Sequence, residues 1–96
     1  MRFSPLLLFV LVALTGCAPV YQSNDPEIAR RNDEGVMLMG RYDYDGAFEA
    51  FASLLEDHPR LLDVRTNFAF AQLNRQREGD EAGAIEIFRS VLADDP

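Results

Sequence analysis

The sequence predicts an all-α protein built as a short array of helix-turn-helix units, an α-solenoid. Three features carry that expectation. Residues 43–59 (DYDGAFEAFASLLEDHP) return 37 positions later as residues 80–96 (DEAGAIEIFRSVLADDP), with nine of the seventeen places identical. Self-similarity at such a period marks stacked units, each too small to bury its own apolar face. Apolar residues also recur at helical spacing in four stretches separated by Gly, Pro and Asp, and no stretch alternates as a strand would.

The chain opens with a short cationic start, Met1 and Arg2, followed by an unbroken apolar run of nine residues at 6–14. A helix needs about 20 apolar residues to span a bilayer, so this run suits the core of a secretory signal instead. Leu14-Thr15-Gly16-Cys17 comes next and resembles the lipobox of bacterial lipoproteins. The resemblance implies that residues 1–16 are a signal peptide cleaved before Cys17. It also implies a diacylglycerol on the Cys17 thiol and an acyl chain, such as palmitate, on the new amino terminus. Each buried methylene adds about 0.8 kcal/mol, and two or more chains hold a protein firmly to a membrane. Cys17 is the only cysteine, which excludes an internal disulfide and leaves the domain to be held by packing. Ala18 stands where lipoproteins kept in the inner membrane typically carry Asp. In a cell with two membranes this implies an outer-membrane anchor facing the periplasm. Residues 17–25 have turn formers and no sustained period, and read as a lipidated tether.

Asp25-Pro26-Glu27 signals the first helix: an Asp cap, a Pro at the first position and an acid in the first turn. Ile28, Gly35, Leu38 and Met39 continue one face until Gly40 and the Tyr42-Asp43-Tyr44-Asp45 turn, which reads as a capping turn. Its alternating carboxylates lack the other ligands of a calcium loop. A second helix is expected over residues 45–57, with a stripe of Ala47, Phe48, Phe51, Leu54 and Leu55, stopped by Pro59. A third, over 61–75, carries Leu62, Phe68, Ala69, Ala71 and Leu73. After a polar loop with Gly79 and Asp80, a fourth near 84–93 has Ile85, Ile87, Phe88, Val91 and Leu92 as its apolar set.

The pattern Ala47-x3-Phe51-x2-Leu54-Leu55-x3-Pro59 resembles the second helix of a tetratricopeptide repeat. Ala84-x3-Phe88-x2-Val91-Leu92-x3-Pro96 matches it again. The resemblance implies a first unit over residues 26–60 and a second over 61–96. It gives the alanines to close helix approach and Phe51 and Phe88 to the gaps between helices. Gly35 and Ala69 fall at its small-residue position, with Phe68 in the large place beside Ala69. The first helices depart from the pattern. Arg31 replaces the usual tryptophan, Glu34 the usual leucine, and the second unit has three extra residues around 75–83. Repeat arrays usually need about three units. The expectation is therefore an array that continues beyond Pro96, or a last face covered by a second copy or a partner.

The same resemblance implies a concave wall lined by Asn32, Val36 and Met39 from the first unit and Thr66, Phe70 and Leu73 from the second. Such a wall suits an extended or helical peptide. Equally, Met39, Phe70 and Leu73 can pack against a neighbouring helix. Relatives that grip a terminal carboxylate use lysine, and this chain has none. The net charge of −7, about −8 once Arg2 leaves with the signal, disfavours nucleic acid and anionic headgroups and favours basic partners. Catalysis finds little support. His58 is the one histidine and sits before Pro59, the cysteine is assigned to lipid, and no phosphate loop or metal-spaced cluster is present. No enzyme activity, cofactor or metal is expected. The reading is a membrane-tethered interaction scaffold with an envelope protein or peptide as partner, of the kind that assists pilus or secretin assembly. The competing reading is an accessory repeat domain of a larger envelope enzyme whose chemistry lies beyond residue 96.

Overall fold

The computed structural model describes residues 23–94, and among them the fold is all-α. Four helices follow in order: α1, Pro26–Gly40; α2, Tyr44–Asp57; α3, Leu62–Arg75; and α4, Asp80–Asp94. No strand occurs among the described residues. Consecutive helices pack on one another, and α1 also reaches α3 across the intervening helix. The signal segment, Cys17 and Pro96 lie outside the described residues.

Local chemistry sets each boundary. The Asp25 carboxylate accepts from the Glu27 N–H at 2.9 Å and Pro26 fills the first turn, so α1 begins with its orphan donors partly satisfied. Asp43 does the same for α2, accepting from Gly46 N–H at 2.9 Å. Its carboxylate lies so near Gly46 that a Cβ there would stand 2.8 Å from its Cγ. The Tyr42–Asp45 turn is therefore a cap. His58 ends α2 by donating its backbone N–H to Leu54, and Pro59 follows. Leu61 takes the cap position of α3 without a side-chain bond.

Four boundaries differ from the sequence expectation. The second helix starts one residue early, the third one residue late, and the fourth begins at Asp80, four residues before the expected start, and ends one residue later, at Asp94. Of the residues read as a polar loop, 76–79 form the turn and 80–83 are helical, because Asp80 anchors the start of α4. Its carboxylate takes two guanidinium bonds from Arg75 (3.0 and 2.8 Å) and one from the Arg77 backbone N–H (2.8 Å). The turn into α4 is closed by Gln76 at φ 60° and Gly79 at φ 84°, both left-handed.

Ile28, Ala47, Phe51, Leu54, Leu61, Val64 and Ala71 form the core, drawn from α1, α2 and α3. Ala47, Phe51 and Ala84 are fully buried, and Phe88 is half-buried. Gly35 is where α1 meets the Phe51 ring. A Cβ there would lie within 2.6 Å of its Cζ, so only glycine permits this approach. The apolar set expected on α4 is not wholly inside, since Ile85 and Leu92 face outward.

Candidate functional site

The six residues expected on the inner wall sit at matching turns of α1 and α3. Asn32, Val36 and Met39 share one face of α1, and Thr66, Phe70 and Leu73 repeat it on α3 34 positions later. The helices are tied there directly, Asn67 Nδ2 donating to the Asn32 amide oxygen at 3.1 Å. Two of the polar atoms expected to meet a ligand, the Asn32 amide oxygen and the Thr66 hydroxyl, are already engaged. Asn32 accepts from Asn67, and the Thr66 hydroxyl donates to the Leu62 carbonyl at 2.8 Å. Met39 is half-buried and packs on the core.

What remains open is apolar. Val36 is 43% exposed, Phe70 44% and Leu73 38%. Phe70 is held rather than loose, its ring meeting Phe88 edge-to-face at 5.0 Å. Asn74 donates its side-chain amide to the Phe70 carbonyl at 2.7 Å, a local contact that fixes the turn beneath Leu73. The wall therefore offers exposed aliphatic and aromatic surface with few uncommitted polar groups.

A second set of residues, unassigned at the sequence level, holds each helix pair in place. Arg31 donates to Asp57 at 2.9 Å and to Ser53 at 3.1 Å. Arg65 donates to Asp94 at 2.6 Å and to Ser90 at 2.6 Å. Ser53/Ser90 and Asp57/Asp94 are among the identical pairs of the repeat, which was the available signal. Between the pairs, Phe48 stacks on Phe68 at 4.7 Å, and the Arg75 guanidinium covers Phe48 at 3.7 Å from its centroid. The Arg75 hydrogen bond, then the Arg77 backbone N–H, hold the Asp80 carboxyl down at about 2 against the opposing effect of burial.

No protein-family model matches this chain, and no curated protein or solved structure matches it.

The outer side of α1 is of a different character. Arg30 pairs with Glu27 at 2.7 Å and Glu34 at 3.5 Å. Arg30 and Glu34, with Asp33, Met37, Leu38 and Arg41, line a shallow depression of about 530 Å³. The Glu27 carboxyl is lowered by its bond to Arg30. These pairs are solvent-facing and give a polar end surface. Among the described residues, no group of three or more His, Cys, Asp or Glu is placed to hold a metal, and no helix is long and apolar enough to cross a membrane.

Proposed function

We propose that the protein is a lipid-anchored scaffold of the bacterial envelope, tethered through Cys17 and binding a protein or peptide partner along a tetratricopeptide-type wall. The observation that carries this reading is the open apolar surface of Val36, Phe70 and Leu73, set at repeated positions on two helices fixed to each other. Apolar groups on a rigid frame lose little entropy on binding and suit the anchor side chains of a peptide. The lipobox resemblance of Leu14–Cys17 supports the envelope address. The acidic balance supports a basic partner. Assistance in pilus or secretion assembly is the role this reading assigns.

Photo-crosslinking in intact cells tests the wall. A crosslinker at Val36 or Phe70 should give the same envelope-protein adduct, and one at exposed Glu56 on α2 should not. Equal adducts at all three positions, or none, would reject the wall. For the anchor, Cys17→Ser should abolish labelling by a fatty-acid analogue and release the protein from membranes; persistent labelling would reject it.

A further inference from the structure

α1 and α3 are joined on the inner wall by a pair of amides, Asn67 Nδ2 donating to Asn32 Oδ1 at 3.1 Å. A side-chain amide has two N–H donors and an oxygen that accepts twice, so one bond leaves much of the pair unspent. Both hydrogens of Asn32 Nδ2 and the oxygen of Asn67 meet no protein partner among the described residues. Exchanging oxygen and nitrogen in both amides reverses the bond and still leaves one NH2 group and one oxygen over. Both residues are half-buried, yet the buried side-chain oxygen without a partner among the described residues is that of Gln72, which lies against Gly83 of α4. The spare asparagine groups therefore open on water. They do so beside the exposed apolar surface, Asn32 one turn from Val36 and Asn67 one turn from Phe70.

A donor and an acceptor side by side distinguish two shapes of partner. An α-helix laid on Val36 and Phe70 spends its main-chain N–H and C=O groups within itself. Its backbone would return nothing to the asparagines while covering them, and a polar group covered without a partner is costly. An extended segment arrives with its main chain unpaired. The N–H and C=O of one residue point to the same edge, as where two antiparallel strands exchange both bonds. Its side chains alternate between two faces, so an apolar one can turn onto the wall.

We propose that the Asn32–Asn67 pair grips the main chain of a partner segment bound in extended form. An Asn32 N–H donates to a partner C=O, and the Asn67 oxygen accepts a partner N–H. The inference rests on the wall reading above and narrows it, since Val36 and Phe70 supply the apolar part of the contact. Recognition by the amides tolerates any side chain on the gripped residue, and selection falls on the apolar side chain beside it.

The probe is a library of random twelve-residue peptides displayed on phage, panned on the full-length chain and counter-selected on its Phe70→Asp variant. The best-enriched peptide is synthesised with a fluorophore and titrated with the parent chain, and its backbone nitrogens are then methylated one at a time. Binding should weaken about tenfold or more at one residue and change little at its immediate neighbours, whose N–H groups point to the other edge. Asn67→Ala in the chain should weaken the parent peptide by a like factor and the sensitive methylated peptide no further. A merely structural asparagine would not show that coupling. Circular dichroism checks that the variant keeps its helices, and the methylated peptides test the grip on the parent chain without it. Indifference to methylation at every position, loss at every interior position as a helix would show, or equal weakening of both peptides by Asn67→Ala would overturn the main-chain grip and leave the wall standing. Failure to enrich any peptide that Phe70→Asp rejects would remove the wall reading and this proposal with it.

Discussion

Arg31 and Arg65 stand 34 residues apart and perform the same task in successive helix pairs, each reaching from the first helix to a serine and an aspartate on the second. The acceptors recur at 37, so three residues are added between arginine and acceptors in the second pair. The structure places them at the hairpin tip. The turn between α3 and α4 holds residues 76–79 where that between α1 and α2 holds 41–43, and the stretch of each flanking helix between clamp and turn is one residue longer. The clamp is untouched by the insertion. A tryptophan in this place would fill the gap by area, whereas arginine fills it with a planar fork that satisfies two acceptors.

Removing the better buried clamp should cost more. The Arg65 side chain is 13% exposed and that of Arg31 22%. Arg65→Ala should destabilise by about 1–2 kcal/mol and Arg31→Ala by about half that. Chemical denaturation with each variant measures both. Arg65→Lys should restore little, because an ammonium lacks the fork that reaches Ser90 and Asp94 together. Full rescue by lysine would reduce the clamp to a charge effect.

The helices were legible from the sequence because their start and stop signals are local. Asp25-Pro26, Asp43 and Pro59 act within a turn of the boundaries they set. The early start of α4 was hidden because Asp80 is held by Arg75 and by the Arg77 backbone, and a residue string does not show which aspartate an arginine will reach. The clamps were half visible. Ser53/Ser90 and Asp57/Asp94 announced themselves by recurring, but their donors recur at a different period and so escape a single alignment. The wall residues came from the tetratricopeptide resemblance, and the structure sets them at matching turns of α1 and α3. That the Asn32 oxygen is spent internally depends on Asn67, a contact between α1 and α3 that no local pattern encodes.

The two repeated phenylalanines should not be equivalent in energy. Phe51 is fully buried against Gly35, so Phe51→Ala should cost about 3–5 kcal/mol through lost burial and a cavity. Phe88 is half-buried, and Phe88→Ala should cost clearly less. Equal losses in urea unfolding would mean that Phe88 is covered in solution.

Gly35→Ala tests the close approach from the other side. The added methyl would overlap the Phe51 ring, so about 1–3 kcal/mol should be lost despite alanine's better helix propensity. Pairing it with Phe51→Leu should recover part of that loss, because the narrower side chain makes room. A neutral or stabilising Gly35→Ala would show that α1 and α2 can separate without penalty.

Acid dependence isolates the tip of the second hairpin. Asp80 titrates at about 2 instead of its ordinary 3.8, chiefly because Arg75 bonds its charged form. A carboxyl depressed in the folded state contributes stability that is complete above its unfolded value and disappears as pH falls through the folded one. The contribution is therefore whole at neutral pH and fades between about pH 4 and pH 2. Asp80→Asn keeps an acceptor for the Arg77 N–H but loses the charge that orders Arg75 over Phe48. Its melting temperature should lie below that of the parent at pH 7, with the gap narrowing steadily under acid. A gap that stays constant down to about pH 2 would place the role of Asp80 in its shape and hydrogen bonds, with the ion pair contributing nothing.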